Sequence, residues 1–183
     1  MKALFGTDGI RGEAGRFPLD AATVSTIGFS LGNHLAETVA EPVIVIGRDT
    51  RESGEWIERA LTEGAARAGA KCLSAGVITT PGVAYLTRHL NAHAGVVISA
   101  SHNPYQDNGI KIFSPSGEKI DDSLERQIER DVYHGSKTQF EVIHVPLAVA
   151  GLRDDYLDFL TNDIGKNLSL KTLKIVVDCA NGA

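Results

Sequence analysis

Residues 99–104, Ser-Ala-Ser-His-Asn-Pro, place a hydroxyl, an imidazole and an amide at consecutive positions of one short segment. The segment follows the apolar run Ala94–Ile98, whose β-branched residues and flanking turn formers predict a buried strand. In α/β folds, ligands bind outside the carboxyl ends of the parallel strands. The position therefore predicts reactive chemistry on a polar substrate around Ser101 and His102. The alternative is a turn that only ends the strand.

The composition indicates a globular protein and excludes two classes of partner. The chain has 183 residues, of which 43% are hydrophobic and 22% charged, and its net charge is −5. That charge argues against a general attraction to nucleic acid or to anionic membranes, so an anionic substrate would need local arginines and lysines. No segment approaches the roughly 20 apolar residues that span a bilayer.

The first residues and the cysteines predict a cytoplasmic location. Glycine and charge interrupt residues 1–8 too early for a signal peptide. Cys72 and Cys179 lie far apart without metal-ligand spacing, and we expect both to be buried thiols in a reducing compartment.

Strand-like and helical patterns alternate along the chain, which predicts an α/β fold with three layers. We expect a mixed, mainly parallel sheet between helices, with one antiparallel strand near its end. The predicted strands are 43–46, 71–79, 94–98 and 109–113, and the predicted helices are 19–39, 57–68, 81–90 and 122–132.

The pattern changes after about residue 134, and we place a domain boundary between residues 148 and 149. A helix is predicted near Leu152 and a strand at Leu173–Val177, as the start of a second, similar domain. A lone helix and strand have no sheet of their own to join. We therefore expect the chain to be a truncated piece of a longer protein, with domains at 1–148 and 149–183.

Four stretches of the sequence resemble the α-D-phosphohexomutase superfamily. They are 5–12 (Phe-Gly-Thr-Asp-Gly-Ile-Arg-Gly), 47–51 (Gly-Arg-Asp-Thr-Arg), 95–111 around Ser-Ala-Ser-His-Asn-Pro, and 176–183. They follow the family's order along the whole chain. The first stretch is most similar to the bacterial members that act on glucosamine phosphate.

The resemblance implies a reaction and a carrier for it. Members of the superfamily move a phosphoryl group between O6 and O1 of a hexose through a phosphoserine and a sugar bisphosphate. Ser101 matches the phosphoserine, whose phosphate would also ligate Mg²⁺. The implied reaction interconverts glucosamine 6-phosphate and glucosamine 1-phosphate, on the route to UDP-N-acetylglucosamine and cell-wall precursors.

The resemblance also implies roles for two cations. Lys111 matches a lysine near the transferring phosphate, where an ammonium would stabilise charge or act as general acid or base. Arg11 matches an arginine that contacts the active-site phosphate. Both are thus candidates for substrate binding and catalysis.

Five neighbouring residues carry weaker expectations. His102 would either hydrogen-bond the reacting hydroxyl or order the loop. Asn103 is a candidate substrate contact, although Asx-type bonds that order the loop are the favoured role. An ion-paired group that positions the serine loop is expected from three residues, Arg48, Asp49 and Arg51.

The family's metal loop, Asp-Gly-Asp-x-Asp-Arg, does not occur in the sequence. Mg²⁺ prefers carboxylate and phosphate oxygens, so we expect this chain alone to lack mutase activity. Truncation should expose apolar surface on the second-domain side, through which the chain could self-associate.

Three alternatives stay open at this point. A phosphomannomutase or phosphoglucomutase of the same superfamily would differ only in its sugar. A serine hydrolase would need Ser101 activated by His102, without a Gly-x-Ser-x-Gly elbow. A non-catalytic module could carry Ser101 as a regulatory phosphorylation site.

Overall fold

Five strands form one mixed sheet in the computed structural model, which describes residues 4–135 and 149–183. The strands are β1 (Ile10–Glu13), β2 (Val43–Arg48), β3 (Lys71–Val77), β4 (Ala94–Ile98) and β5 (Asp107–Phe113), in the spatial order β1-β5-β4-β2-β3. β2 pairs in parallel with β3 and β4, whereas β5 is antiparallel to both β4 and β1. Only β5 is therefore reversed, which confirms the predicted mixed, mainly parallel sheet.

Helices cover both faces of the sheet, as the sequence predicts. They are α1 (Ala21–Ala36), α2 (Gly54–Arg67), α3 (Thr80–His89), α4 (Asp122–His134) and α5 (Leu152–Asp158), the last continued by a π-helical turn at Phe159–Ile164. Successive strand residues point to opposite faces. Ile44 and Ile46 accordingly pack in the core with α1, α2 and α4, while Val45 packs with α3 and Leu152.

Helices α1 and α2 approach each other so closely that only glycine fits at the contact. A Cβ on Gly64 would lie 1.9 Å from the carbonyl oxygen of Ser25, and one on Gly28 would lie 2.1 Å from that of Leu61. Because α2 follows directly from β2, this contact also fixes where the connecting residues 49–53 leave the sheet.

Side-chain caps begin three of the helices. Asp20 accepts the Thr23 amide and Thr79 accepts the Gly82 amide, at 3.0 and 3.3 Å. Asp121, the residue before the first helical position, caps α4. Its carboxylate accepts bonds from the Ser123 hydroxyl and the Leu124 amide, and these bonds lower the pKa of Asp121.

Two segments differ from the sequence-based prediction. β1 is not among the predicted strands. It is a four-residue edge strand with a single partner and is too short to show a periodic apolar pattern. The predicted strand Leu173–Val177 is wrong, since this segment pairs with no described strand and its Val176 is 95% exposed.

The cysteines also differ from the prediction that both are buried: Cys179 is exposed, and Cys72 is half-buried. The proposed boundary at residue 148 falls at the edge of residues 136–148, outside the described ranges.

The helix near Leu152 exists, and it packs against α3. Leu152 is buried in the core on that face, and Phe159 stacks on Tyr85 with the ring centroids 4.2 Å apart. Across 4–135 and 149–183, no helix is both long and apolar enough to cross a membrane.

Candidate active site

Residues 99–107, here called the serine loop, connect β4 to β5 at the carboxyl end of β4. The Ser99 amide still bonds the Gly109 carbonyl at 2.9 Å, so the loop leaves the sheet only after that residue. Gly109 is required there, because a Cβ would lie 2.7 Å from the carbonyl oxygen of Ser99. Ser101, His102 and Asn103 then line one wall of an open cleft.

Arg51 holds the serine loop by its backbone. Its two Nη atoms donate to four loop carbonyls, those of Ser101, Asn103, Pro104 and Asp107, at 2.6–3.0 Å. The planar guanidinium presents donors in a fixed fork, which suits several acceptors at once. The Arg51 side chain is only 10% exposed, so these charged hydrogen bonds are largely shielded from water.

Asp49 connects Arg51 to the start of the loop. Its Oδ2 lies 3.1 Å from the Arg51 Nε and accepts the Ser99 hydroxyl at 2.7 Å. The Ser99 Oγ in turn accepts the amide of Ser101 at 3.0 Å. The Ser99 hydroxyl therefore both donates and accepts a hydrogen bond that orders the loop.

Ser101 itself is exposed and has a φ of +57°, in the left-handed region that L-residues rarely adopt. Such a conformation costs on the order of 1 kcal/mol and persists only where the surroundings hold it. Ser99 binds its amide and Arg51 binds its carbonyl, so both sides of the residue are fixed. The hydroxyl is thus presented to the cleft from a fixed backbone.

His102 contacts Ser101 only weakly. Its Nδ1 lies 3.5 Å from the Ser101 Oγ, at the limit of a hydrogen bond. A hydrolase base needs a third group that orients its ring. Among the described residues no carboxylate bonds the other nitrogen of His102, so this geometry does not favour the hydrolase.

Asn103 orders the loop and connects it to β1. Its Nδ2 donates to Asp107 at 3.0 Å, and its Oδ1 accepts from the Nη1 of Arg11 at 3.2 Å. Arg11 stands opposite Gly109 in the β1–β5 ladder, and the missing side chain at Gly109 leaves room for its stem. The structure therefore brings Arg11 to the serine loop.

Lys111 lies next to this group but in a smaller, neighbouring pocket. Its Nζ is 4.0 Å from the Oδ2 of Asp8, and the same oxygen is 3.3 Å from the Nη2 of Arg11. Neither Asp8 nor Asp107 is among the site residues that the sequence predicts. A signal for Asp8 was present in the sequence: it is an acidic residue in a glycine-rich segment, three positions before Arg11.

Arg48 does not join the group that holds the loop. Its Nε pairs at 2.9 Å with Glu58 of α2, whose side chain is 3% exposed. Burial raises the pKa of Glu58, against the bonds from Ser74 and Arg48 that lower it. The expectation for Arg48 is thus corrected: alternation along β2 sends its side chain to the α2 layer, and Asp49 and Arg51 alone reach the loop.

The carboxylates of the described residues are dispersed or already paired. No group of three or more His, Cys, Asp or Glu side chains comes together as a metal centre anywhere in 4–135 or 149–183. Further walls of the cleft come from Thr50 and Glu52, from residues 78–80 at the start of α3, and from residues 179–183.

Comparisons with known proteins place the chain in one family. The family described as "Phosphoglucomutase/phosphomannomutase, alpha/beta/alpha domain I" matches residues 2–139. Proteins named phosphoglucosamine mutase match the entire chain, at 46% identity in Koribacter versatilis and 48% in Solibacter usitatus. In both cases the chain spans 41% of the relative's length.

A solved structure shows the same fold. It is described as a "putative phosphomannomutase" from Thermus thermophilus, and it superposes with a TM-score of 0.74 at 30% identity. The match covers 91% of this chain and 36% of the other.

Proposed function

The chain belongs to the phosphoglucomutase/phosphomannomutase family, and from this premise we propose that Ser101 is the phosphate carrier of a hexose-phosphate mutase. The observation that supports this most is the serine loop, in which one exposed hydroxyl has its backbone held on both sides. Arg51 binds the Ser101 carbonyl, and Ser99, itself bound to Asp49, accepts the Ser101 amide. Enzymatic phosphoryl transfer depends mainly on position and on neutralised charge. The loop supplies the position.

The proposed reaction has two transfers. In the first, the P–O bond at the Ser101 Oγ breaks as the free hydroxyl of a hexose phosphate gains the phosphoryl group and gives up its proton. In the second, the bisphosphate returns its other phosphoryl group to the Ser101 Oγ, and the sugar oxygen that is released takes up a proton. The product is the isomeric hexose monophosphate.

Arg11 and Lys111 are the proposed cationic contacts of the phosphate. Arg11 is connected to the loop through Asn103 and offers a planar fork for phosphate oxygens. Lys111 is the proposed general acid or base, and His102, whose Nδ1 lies 3.5 Å from the Ser101 Oγ, is the alternative. Asp49 and Arg51 position the loop without contacting substrate.

Glucosamine phosphate is the proposed substrate, interconverted between its 6- and 1-phosphates. The proposal follows the name that the relatives at 46–48% identity share. Such a product would serve UDP-N-acetylglucosamine synthesis. Mannose or glucose phosphate is the alternative substrate within the same family.

Mg²⁺ is the proposed cofactor, although the described residues do not form an oxygen cage for it. A phosphate on Ser101 would provide one oxygen ligand, and we propose that the carboxylate ligands come from residues other than the described ones. On the same grounds we propose that the 183 residues are inactive alone. A domain boundary at 148/149, a cytoplasmic location and self-association through the 149–183 side are further proposals that follow from the sequence.

Intact-mass spectrometry of the complete gene product tests the proposed carrier. After incubation with glucosamine 1,6-bisphosphate, we expect one added phosphate, which disappears when glucosamine 6-phosphate is supplied in excess. Ser101→Ala should abolish both the added mass and the turnover. Ser99→Ala should keep the added mass at Ser101 but reduce the rate, because the Ser101 amide loses its acceptor.

The control variant is Ser116→Ala, in the exposed turn after β5, which should behave like the unaltered protein. A phosphate that stays on Ser101 whatever sugar is present would instead identify a regulatory site. Turnover that survives Ser101→Ala would overturn the mutase proposal.

A further inference from the structure

Two cations lie side by side on one face of the β1–β5 pair. Arg11 is opposite Gly109 in the ladder, and Lys111 is two residues further along β5, so both side chains leave the sheet on the same side. Like charges in such positions repel each other. A single oxygen, the Oδ2 of Asp8, is 3.3 Å from the Arg11 Nη2 and 4.0 Å from the Lys111 Nζ.

The backbone around Asp8 is built to bring it to this point. Gly6 and Gly9 close a tight turn by reciprocal backbone bonds of 2.9 and 3.4 Å. Gly9 has a φ of +92°, and a Cβ on it would lie 2.3 Å from the carbonyl oxygen of Ile110. Only glycine allows the turn to lie directly on β5, and that contact brings Asp8 alongside the two cations.

Stability does not explain the arrangement. The Asp8 side chain is 64% exposed, and ion pairs of exposed side chains contribute little to folding because water screens them. Arg11 has a second contact that points to the active site instead, since its Nη1 bonds the Oδ1 of Asn103 in the serine loop. Asp8, Arg11 and Asn103 thus connect Lys111 to the loop that carries Ser101.

We propose that Asp8 is a positioning residue for phosphate binding, whose shared oxygen keeps Arg11 and Lys111 together beside the serine loop. The proposal rests on the proposed function, because it supposes that these two cations receive the transferring phosphate. Asp8 acts through them and does not contact the sugar. Its carboxylate offsets their repulsion while no phosphate is bound.

A double-mutant cycle in the complete gene product tests this mechanism. Asp8→Asn keeps the size of the side chain and removes its charge. We expect it to lower kcat/KM for glucosamine 6-phosphate about tenfold, mainly through KM, as a coupled pair should. In a Lys111→Gln background the same change should cost less than about twofold, because one of the two cations is already gone.

Controls separate positioning from folding. Asp8→Glu keeps the charge and should recover part of the loss, and the thermal midpoint of Asp8→Asn should equal that of the unaltered protein. Asp122→Asn, an exposed acid in the first turn of α4, should leave the kinetics unchanged.

An equal penalty for Asp8→Asn in both backgrounds, or no penalty in either, would overturn the role of Asp8 while the unaltered protein still transfers phosphate from Ser101. If the unaltered protein transfers none, the proposed function fails, and the role of Asp8 fails with it.

Discussion

The serine loop up to β5 and residues 165–183, here called the tail segment, both lack helix and strand, yet their backbones are held very differently. In the loop, Arg51 donates hydrogen bonds to backbone carbonyls about 50 positions away in sequence, and Asp49 accepts the Ser99 hydroxyl. In the tail segment the backbone bonds are local, such as Leu173 to Leu170, with one further contact from the Thr50 hydroxyl to Asn181. Irregular backbone is therefore fixed here by buried, charged donors from a neighbouring strand end.

Removal of Arg51, the main hydrogen-bond donor to the serine loop, should reduce the difference in backbone order between the loop and the tail segment more than any other change. Arg51→Ala leaves four loop carbonyls and the Asp49 carboxylate without their partner, and should reduce the free energy of unfolding by about 3 kcal/mol. Amide hydrogen exchange at Ser101 and Asn103 should rise toward the rates of the tail segment. Chemical denaturation and exchange mass spectrometry measure the two effects.

A matched control for that change is Arg59→Ala, which removes an exposed arginine paired with Glu55. It should change stability by less than about 0.5 kcal/mol. Arg51→Lys should recover only part of the loss, because three ammonium donors cannot reproduce the planar fork. Slow amide exchange in the serine loop of Arg51→Ala would show that the order of the loop does not depend on the Arg51 hydrogen bonds.

Gly109→Ala should have the next largest effect, from the other side of the loop. The added methyl would meet the carbonyls of Ser99 and Ile10 at 2.7 and 2.9 Å, so the ladder must shift, at a cost of about 2 kcal/mol. Gly6→Ala is the control, because its nearest contact would be an ordinary 3.5 Å. Equal thermal midpoints for the two variants would contradict this account.

The sheet and the tail segment each contain one cysteine, and the two thiols should differ in their reactivity under mildly alkaline conditions. Burial raises the pKa of Cys72 to about 12. At about pH 8, near the ordinary thiol pKa, a maleimide should therefore modify the exposed Cys179 and leave Cys72 intact. Peptide mapping after a short exposure measures this.

The sign of the accompanying pH effect follows from proton binding. Because the folded chain holds the Cys72 proton more tightly than the unfolded chain, stability should fall as the pH rises from about 9 toward 12. Cys72→Ala should remove that part of the alkaline slope. A slope unchanged by the substitution would assign it to other groups.

Val176→Ser, in the tail segment, should have the smallest effect. The side chain is 95% exposed, so the change should stay within about 0.5 kcal/mol in a denaturation experiment. A loss of about 2 kcal/mol, the size typical of a packed side chain, would mean that the tail segment is packed in solution and that the contrast with the loop is weaker than described.

Much of the scaffold was predictable because it depends on local patterns. The run Ala94–Ile98 forms β4 with the predicted bounds, and each of the four predicted helices forms close to its predicted range. β1 escaped prediction because a short edge strand has no periodicity of its own. Leu173–Val177 has the composition of a strand, but a strand also requires a partner, and composition does not supply one.

The candidate site also contains residues that local sequence predicts and residues that only strand pairing brings together. Ser101, His102 and Asn103 are neighbours in sequence, so their common loop could be predicted from the residues alone. Asp8 lies about 100 positions away from Lys111, and only the β1–β5 pairing brings the two together.

By itself, the sequence determined the fold class, the strand before the serine loop and the family, because apolar periodicity and contiguous motifs are local properties. Tertiary structure alone decided that Arg51 turns to the loop and Arg48 turns away to Glu58, and that one oxygen of Asp8 serves two cations. The direction of a side chain from a strand end, and its partners across the sheet, depend on pairings between distant segments that no local pattern encodes.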